Sequence, residues 1–399
     1  MTDVENPPNG WEQHAAALAD TIAGALPGVD QAWIDAVTHV PRHLLVPLFH
    51  QQHHGEWATV GAGDDGFLTE VYRDAPLITA LLPNGVGGYE VVSSSTKPAL
   101  MVRMLDALSI HPGHRVLEIG TGTGYNAALL CHRLGQHAVS SVDIGADLVE
   151  LARDRLARIG YRPDLCVTDG RAGRPDCGPY DRIIATCSVP AIPWDWYEQL
   201  VEDGAVLVDL KIGLHAGNLV LLRRRGDRLE GSFLPKWAGF MTARATDSAP
   251  VRPQHRRGPI QHESSTRIDP DPWAGLVPWF LAQIGQPAIT GLSRTGPHLA
   301  TTRFTAADGT WCEIDPADDA GERPVREGGR RRLWSTVQAA HRRWTSLGEP
   351  GWERLGITVW PNGQHDLWLD TPTTQLPAVM DGTDRRHGSV APWILGARP

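Results

Sequence analysis

The chain has 399 residues, which is enough for two domains that each bury a hydrophobic core. Its formal net charge of −9 argues against a general binder of nucleic acid or of an anionic membrane surface. No run of about 18 apolar residues occurs, so no membrane-spanning helix is expected, and the first residues lack the basic and apolar regions of a secretion signal. The five cysteines show no C-x-x-C spacing and predict reduced, buried thiols in a cytoplasmic protein.

Residues 11–40 are predicted to form two helices, because apolar residues recur there every three or four positions. Residues 51–66 are rich in Gly, Asp and His, which predicts a loop. The histidines His50, His53 and His54 lie close together but have no cysteine or acidic residue at metal-ligand spacing. No metal site is therefore predicted, and these histidines are expected to lie in a loop near a substrate entrance.

Strand and helix patterns alternate after a helix that begins at Pro98. The predicted elements are a strand over Arg115–Ile119, a helix over 124–134, a strand over Ala138–Val142, a helix over 146–159, strands over Leu165–Val167 and Arg182–Thr186, a helix over 194–201, and a strand over Ala205–Leu210. This alternation is typical of an α/β fold with a doubly wound parallel sheet. Leu219–Arg223 and Leu229–Leu234, joined by a turn at Gly226–Asp227, predict a hairpin at the edge of that sheet.

The composition changes over Ser248–Ser265 to Pro, Arg, His, Gln and Ser, which predicts a linker. Residues 266–399 are rich in Trp and are expected to form a second, smaller α+β domain, with most of the tryptophans in its core. The predicted elements of this part are short strands over Thr301–Phe304, Trp311–Ile314, Ile357–Trp360 and His365–Leu369, and a helix near 329–346. The first domain accordingly covers residues 1–247.

The basic run Arg330–Arg332 leads into that helix, and Arg342 and Arg343 lie further along it. One interpretation is an amphipathic helix with a solvated basic face. The other is a docking face for an acidic peptide. The sequence leaves both open.

The segment Val116–Tyr125 carries the most specific signal, because a buried strand runs into the pattern E-x-G-x-G-x-G. Glycines at Gly120, Gly122 and Gly124 allow the main chain to approach a nucleotide-like ligand, which a Cβ atom would prevent. Asp143 follows the next strand at the spacing of about 20 residues expected for an acid that binds ribose hydroxyls. The pattern lacks the G-x-G-x-x-G spacing of dinucleotide sites, and this favours S-adenosylmethionine as the cofactor.

Several further segments resemble the protein L-isoaspartyl O-methyltransferase family, in order and spacing, over about residues 30–240. The matching segments are Val40–Pro47 (V-P-R-x-x-F-V-P in the family), Tyr72–Leu77 (Y-x-D-x-P-L), Asp169–Gly170, Tyr180–Ile184, Pro190–Pro193, Gln199–Leu200 and Gly204–Val208. The resemblance implies a Rossmann-like class I methyltransferase sheet that binds S-adenosylmethionine.

The resemblance also implies roles for individual residues in cofactor binding. The loop Gly120, Thr121, Gly122, Thr123 and Gly124 is expected to approach the methionine portion, and Asp143 to accept hydrogen bonds from both ribose hydroxyls. Asp169, beside Gly170, is expected to accept from the adenine amino group, although an Asp-Gly pair can also be a simple turn. Glu118 is expected to hold the loop or to bridge by water to the amino group of the cofactor.

Two departures from the family pattern bear on the substrate. The substrate loop, usually T-I-S-x-P, here reads Ser93 to Pro98, so that Ser94 occupies the threonine position and Thr96 the serine position. The chain also carries the extra residues 248–399. Together these features resemble the variant methyltransferases found with ribosomally made peptides of the ATP-grasp (graspetide) or lanthipeptide type. Members of that group methylate an aspartate side chain in a precursor peptide, which then closes to a succinimide (aspartimide).

The hydroxyls of Ser93, Ser94, Ser95 and Thr96 are the predicted catalytic groups, although a serine run can also be a plain polar loop. A carboxylate is already ionised at neutral pH, so its methylation needs alignment more than a base or a metal. The predicted function is methylation of an Asp or isoAsp side chain in a precursor peptide. Two alternatives stay open, namely repair of isoaspartyl damage and a non-catalytic peptide-binding relative. The sequence does not fix the oligomeric state.

Overall fold

The computed structural model describes residues 10–84, 87–244, 246, 258–284 and 289–377. The N-terminal part consists of helices packed beside a small antiparallel sheet with strand order β2-β1-β3-β4. Its elements are α1 (Trp11–Ala25), α2 (Gln31–His39), α3 (Arg42–Leu45), β1 (Leu48–His53), β2 (Glu56–Gly61), α4 (Phe67–Val71), β3 (Leu77–Pro83) and β4 (Tyr89–Ser95). The two helices predicted over residues 11–40 are confirmed.

The loop predicted over residues 51–66 is wrong for most of its length, because β1 and β2 form an antiparallel hairpin there. His54 and Gly55 both have positive φ, as expected for the two central residues of a tight hairpin turn. Most side chains of this hairpin are exposed or half-buried on both faces, so the sequence shows no alternation of apolar and polar residues. His50 and His53 therefore lie on a strand and only His54 lies in the turn.

The central part contains the predicted alternation of strands and helices. Its elements are α5 (Pro98–Ala107), β5 (Val116–Ile119), α6 (Tyr125–Leu134), β6 (Val139–Asp143), α7 (Ala146–Arg158), β7 (Asp164–Val167), β8 (Tyr180–Val189), α8 (Trp194–Glu198), β9 (Leu200–Gly213), β10 (Ala216–Arg225) and β11 (Arg228–Phe233). Strand β5 lies between β6 and β8 and is parallel to both, so the strand order reverses beside β5. This reversal confirms the doubly wound sheet and places a ligand crevice at the carboxyl ends of these three strands.

The C-terminal part adds a five-stranded antiparallel sheet, with strand order β12-β16-β15-β14-β13, and two further strands. Its elements are β12 (His262–Thr266), α9 (Leu276–Ile284), β13 (Ile289–Thr295), β14 (Thr301–Ala306), β15 (Trp311–Ile314), β16 (Arg323–Gly328), α10 (Leu333–Ser346), β17 (Leu355–Val359) and β18 (His365–Leu369). Of the linker predicted over 248–265, residues 248–257 lie outside the described residues and residues 262–265 belong to β12. The division into two domains stays a prediction.

Strands β17 and β18 extend the central sheet. Strand β17 pairs antiparallel with β11 on one side and with β18 on the other. The hairpin of β10 and β11, predicted at the edge, is therefore an interior part of a nine-stranded sheet. The hairpin is covered by β17, which lies more than 100 residues further along the chain, so the local sequence pattern does not indicate this pairing.

Alternate residues of the central strands point into two different hydrophobic cores. On β9, Val206 and Val208 pack into the core that the C-terminal part shares. Ala205 and Leu207 pack into the core formed with the N-terminal helices. Both faces of the sheet are thus covered, as in other doubly wound folds.

The expectation that most C-terminal tryptophans are core residues is confirmed. Trp279, Trp311, Trp334 and Trp352 are all buried, whereas Trp273 is 47% exposed. The five cysteines are free thiols, but the expectation that all are buried is wrong, because only Cys131 and Cys312 are buried and the other three are half-buried. In the described ranges, no helix is both long and apolar enough to cross a membrane.

Candidate active site

The glycine loop joins β5 to α6 at the point where the strand order reverses. Gly120, Gly122 and Gly124 have φ values of +100°, +51° and +84°, a region that side chains with a Cβ atom rarely adopt. A Cβ atom on Gly120 would lie 2.5 Å from the Oγ1 atom of Thr186, and one on Gly124 would lie 3.3 Å from Leu156. Glycine is therefore required at the first position for close approach of two strands and at the third for packing of α7.

Asp143, at the end of β6, holds the glycine loop with one carboxylate oxygen and the residue before α7 with the other. Its Oδ2 accepts a hydrogen bond from the Gly122 amide at 2.9 Å, and its Oδ1 accepts from the Gly145 amide at 3.1 Å. A carboxylate oxygen has two lone pairs, so each oxygen keeps one acceptor site. The position of Asp143 at a cavity wall is compatible with the predicted contact to ribose hydroxyls.

Glu118 is fully buried directly before the loop. Its carboxylate accepts hydrogen bonds from Ser141 Oγ at 2.6 Å and from Asn126 Nδ2 at 2.8 Å. Ser141 Oγ lies 2.7 Å from Thr121 Oγ1, so the network reaches the loop itself. Burial raises the pKa of Glu118 from 4.5 to about 7, against the opposing effect of the two hydrogen bonds. The network thus connects Glu118 to the loop, and its role in holding the loop or bridging to the cofactor stays a prediction.

Asp169 and Gly170 follow β7 and lie on the same cavity as Asp143. The Asp169 carboxylate caps a short 3-10 helix by accepting from the Arg171 amide at 3.0 Å, and it also pairs with the Arg171 guanidinium at 2.5 Å. The hydrogen bonds from Arg171 lower the pKa of Asp169. Asp169 is therefore a turn former in this structure, and its contact with adenine stays a prediction.

The four predicted catalytic hydroxyls divide into two pairs along the end of β4. Ser93 and Ser95 are buried, where Ser93 Oγ accepts from Thr79 Oγ1 at 3.1 Å and Ser95 Oγ accepts from Arg42 at 3.4 Å. Ser94 and Thr96 are half-buried and line a large cavity. This alternation follows from the two-residue period of a strand. Ser94 and Thr96 occupy the family's threonine and serine positions.

Arg42 and Asp74 fix this row of hydroxyls in place. The buried Arg42 guanidinium donates to the carbonyl oxygens of Arg73 and Ala75, at 3.1 and 3.3 Å, besides its contact with Ser95. Asp74 accepts from the Ala99 amide at 2.8 Å and so caps the first turn of α5. The family-like segments Val40–Pro47 and Tyr72–Leu77 thus meet at the loop that carries the hydroxyls.

Three adjoining cavities surround the end of β4. The first, of about 100 Å³, is lined by Ser93, Ser94 and the predicted cofactor residues Gly120, Gly122, Asp143, Asp169 and Gly170. The second, of about 30 Å³, is lined by Ser94 to Thr96 and by the loop from Glu118 to Thr123. The third, of about 510 Å³, opens beyond Ser94 and Thr96. Ser94 lines all three cavities, so it lies where the cofactor region and the large cavity meet.

Some residues of the site were not predicted from the sequence. Thr186, on β8, lines all three cavities and donates to the Gly120 carbonyl oxygen at 2.8 Å. A polar residue at the carboxyl end of a buried parallel strand is the signal that could have identified it. Residues 236–241 line the large cavity and follow the last strand of the hairpin without any periodic pattern. Among the described residues, no group of three or more His, Cys, Asp or Glu could hold a metal ion.

The doubly wound sheet, the glycine loop and the acid after β6 define a class I S-adenosylmethionine-dependent methyltransferase. Comparison with known proteins identifies the family. Residues 62–232 match the family Protein-L-isoaspartate(D-aspartate) O-methyltransferase. The chain is 35% identical over 222 residues to the protein-L-isoaspartate O-methyltransferase of Methylorubrum extorquens, which covers 54% of this chain and 84% of that protein. It is 33% identical over 199 residues to the one of Methanococcoides burtonii, covering 49% and 84%.

The chain therefore belongs to the protein-L-isoaspartate O-methyltransferase family and is an S-adenosylmethionine-dependent enzyme. Membership removes the non-catalytic peptide-binding alternative. A solved structure titled protein-L-isoaspartate O-methyltransferase matches the fold with a TM-score of 0.54 at 22% identity, over 90% of this chain and all of that chain. A match of that extent includes most of residues 266–399. The C-terminal part by itself thus does not distinguish the fold of this chain from that structure.

Proposed function

We propose that this enzyme methylates the carboxylate of an aspartyl or isoaspartyl residue within a peptide chain, and that Ser94 and Thr96 position that carboxylate. The observation that carries the proposal is the place of Ser94, which lines both the cavity of the glycine loop and the 510 Å³ cavity. A peptide side chain in the large cavity meets the cofactor region there. The names of the relatives support isoaspartate as an acceptor.

The residues at the glycine loop fit S-adenosylmethionine. The Gly120 position has no room for a Cβ atom beside Thr186, as expected where the main chain itself forms the binding surface. Asp143 would hold the ribose hydroxyls with its remaining acceptor sites, and Gly120 and Gly122 would lie against the methionine portion. Gly124 packs on Leu156 and would act through the position of α6.

When bound, the cofactor supplies a methyl group on a sulfonium, and an acceptor carboxylate oxygen forms the new bond to that carbon as the carbon–sulfur bond breaks. The hydroxyls of Ser94 and Thr96 donate hydrogen bonds that orient the carboxylate and leave its charge in place. A close arginine, by contrast, would neutralise that charge. Orientation of this kind can supply several kcal/mol of the barrier reduction. In the methyl ester, the next backbone nitrogen can attack the carbonyl carbon. The new carbon–nitrogen bond replaces the bond to methoxide, which takes the proton of the nitrogen and leaves as methanol.

Two substrates are candidates for this chemistry. Damaged proteins with isoaspartyl residues are the substrate that the names of the relatives indicate. A dedicated precursor peptide with an aspartate acceptor is supported by the polar loop Ser93–Lys97 and by the cations of the large cavity. We propose the precursor peptide, because a repair enzyme must accept many sequences whereas these charges favour some sequences over others.

The test is mass spectrometry of peptides incubated with enzyme and S-adenosylmethionine. One peptide is the candidate precursor encoded beside this gene, in unmodified and cross-linked forms, and the other is a generic isoaspartyl peptide. A gain of one methyl group followed by loss of methanol on the precursor alone supports maturation. Turnover of the generic peptide alone contradicts it and leaves repair.

The roles of the hydroxyls are tested on whichever peptide is turned over. Ser94→Ala is expected to lower kcat/KM about 10- to 100-fold, because it removes a hydrogen bond to a charged group. Ser264→Ala, at an exposed strand position far along the chain, is the matched control and is expected to change nothing. An unchanged kcat/KM for both Ser94→Ala and Thr96→Val would refute the assignment.

A further inference from the structure

The 510 Å³ cavity contains more positive charge than methylation of one carboxylate requires. It is bounded by the end of α1, the segment around Asp74, the hydroxyls of Ser94 and Thr96, one face of α5, and the segment 236–241. Three cations line it, namely Lys97, Arg103 and Lys236. The whole chain carries a net charge of −9, so this cavity differs in sign from the molecule around it.

Lys97 does not contribute a free charge, because it is paired. Its Nζ atom lies 3.2 Å from Asp74, whose other oxygen accepts from the Ala99 amide. Asp74 is the acidic residue that lines the cavity. Its charge and its hydrogen-bonding capacity are thus committed to Lys97 and to the cap of α5.

Arg103 lacks such a partner. It lies on the face of α5 that also presents Ala99 and Leu100 to the cavity. Its Nε and Nη2 atoms are buried and have no hydrogen-bond partner within the described part of the chain. Burial alone lowers the pKa of Arg103, with no acidic neighbour acting against it. A guanidinium remains charged under such conditions, and buried donors without acceptors are costly.

We propose that Arg103, assisted by Lys236, binds a second carboxylate of the peptide substrate, on a residue next to or two residues from the methyl acceptor. This inference rests on the proposed function and names the peptides that the site selects. Arginine suits the task because its planar fork binds a carboxylate through two parallel hydrogen bonds. Lys236 is exposed at the cavity wall and forms no ion pair with any described residue, so it adds a weaker contact.

The spacing along α5 supports a second carboxylate instead of the acceptor itself. Helix α5 begins at Pro98, directly after Thr96 and Lys97, and Arg103 lies five residues further along it. A rise of about 1.5 Å per residue places Arg103 about 7 to 8 Å along the helix from Pro98, which lies two residues after Thr96, the last of the hydroxyls. In an extended peptide, side chains two residues apart are separated by about 7 Å. An acceptor at Ser94 and an acidic residue at Arg103 can therefore belong to one peptide strand.

The remaining walls suit a peptide. Leu26, Leu100, Trp237 and Phe240 provide apolar surface in the same cavity as the hydroxyls and the cations. Ligand sites commonly combine apolar walls with a few charged groups that fix orientation. An acidic side chain flanked by apolar residues matches this arrangement.

The experiment compares kcat/KM for synthetic peptides of one sequence, each with a C-terminal amide and an Asp or isoAsp acceptor. A single Glu or its uncharged analogue Gln is placed one or two residues before or after the acceptor. The wild-type enzyme is expected to prefer Glu over Gln about 10-fold or more at one of these positions. In Arg103→Gln this ratio is expected to fall close to 1, and Arg103→Lys is expected to restore part of it. Lys236→Gln is expected to lower the ratio only a few-fold.

A further peptide pair with a free or amidated C-terminus shows whether a terminal carboxylate is bound in place of a side chain. Arg158→Gln, at an exposed position of α7, is the matched control and is expected to keep the wild-type ratio. Arg342→Gln tests the basic face of α10. A ratio that falls in Arg342→Gln and not in Arg103→Gln would overturn the proposal, because the acidic residue would then bind outside the cavity.

Two other results would also overturn the proposal. If wild-type enzyme methylates the Glu and Gln peptides equally, the proposed function stands and the second carboxylate site fails. If Arg103→Gln slows both peptides by the same factor, Arg103 serves the acceptor or the fold. Absence of methylation of every peptide, by contrast, would count against the proposed function itself.

Discussion

Replacement of Glu118 by glutamine is expected to remove a large pH-dependent component of the stability of this protein. Glu118 is fully buried and accepts hydrogen bonds from Ser141 and Asn126. The single hydroxyl proton of Ser141 is donated to Glu118, so Thr121 donates to Ser141. In Glu118→Gln the new Nε2 atom can donate to Ser141, and both hydroxyls can rotate so that Ser141 donates to Thr121. The substitution therefore keeps the network while it removes the charge.

The magnitude follows from the pKa of Glu118, which burial raises from 4.5 to about 7. Between these two values the folded state binds more protons than the unfolded state. The linkage relation then requires that the free energy of unfolding falls as pH rises through this window, and it changes no further above it. One pKa unit corresponds to about 1.4 kcal/mol, so the full effect is about 3 kcal/mol. Between pH 5 and pH 8, the free energy of unfolding of Glu118→Gln is therefore expected to rise by about 2 to 3 kcal/mol relative to that of the wild type.

The assay is urea unfolding monitored by tryptophan fluorescence at several pH values from 5 to 8, with wild type and variant side by side. Only the difference between the two proteins is interpreted, because other groups titrate in both. Glu56→Gln, on the exposed hairpin strand β2, is the matched control for the loss of one carboxylate at the surface. A difference for Glu118→Gln that is flat from pH 5 to pH 8 would refute the argument from burial.

Three further predictions concern other contacts of the site and the sheet. Gly120→Ala is expected to weaken S-adenosylmethionine binding at least 10-fold in calorimetry, whereas Gly135→Ala, which has a similar positive φ but no atom near the added Cβ, is expected to leave affinity unchanged. Arg42→Met is expected to lower stability by about 2 to 4 kcal/mol in urea unfolding, because the carbonyl oxygens of Arg73 and Ala75 lose their donor. It is also expected to lower turnover through displacement of Ser95, and unchanged stability would contradict this. Burial lowers the pKa of His365 from 6.5 to about 4, so the free energy of unfolding of the wild type is expected to fall as pH falls from 6.5 to 4. His365→Gln is expected to lack this fall, and parallel pH profiles of the two proteins would count against the prediction.

The sequence was sufficient to predict the part of the fold that binds the cofactor. The loop needs glycine at every second position from Gly120 to Gly124, because these three residues have positive φ. This requirement involves only neighbouring residues of the chain. Most residues of β5, β6 and β8 are buried, and β5 and β8 contain the mainly apolar runs Val116–Ile119 and Ile183–Ala185. Such constraints act within about ten residues, and a single sequence therefore shows them.

The large cavity could not be predicted in the same way. Arg103 lies on an amphipathic helix where an arginine is unremarkable, and Lys236 follows a strand in a segment without regular structure. Their common cavity depends on how α5 and the segment 236–241 pack, which is set by contacts distant in sequence. The same limitation explains the unpredicted strands β12, β13 and β16, whose polar residues alternate only weakly.

The C-terminal part contacts both a wall of the 510 Å³ cavity and the central sheet. Trp237, a wall of the cavity, packs edge-on against Trp273 of the C-terminal part, with ring centroids 4.6 Å apart. The indole of Trp237 also donates to the Gly217 carbonyl oxygen at 3.0 Å, which fixes its orientation on β10. A second connection is made by His365 on β18, whose Nε2 accepts from the Ile192 amide beside the central sheet at 2.9 Å. Because these contacts hold a cavity wall and a loop beside the central sheet, loss of the C-terminal part is expected to alter the 510 Å³ cavity as well as the edge of the sheet.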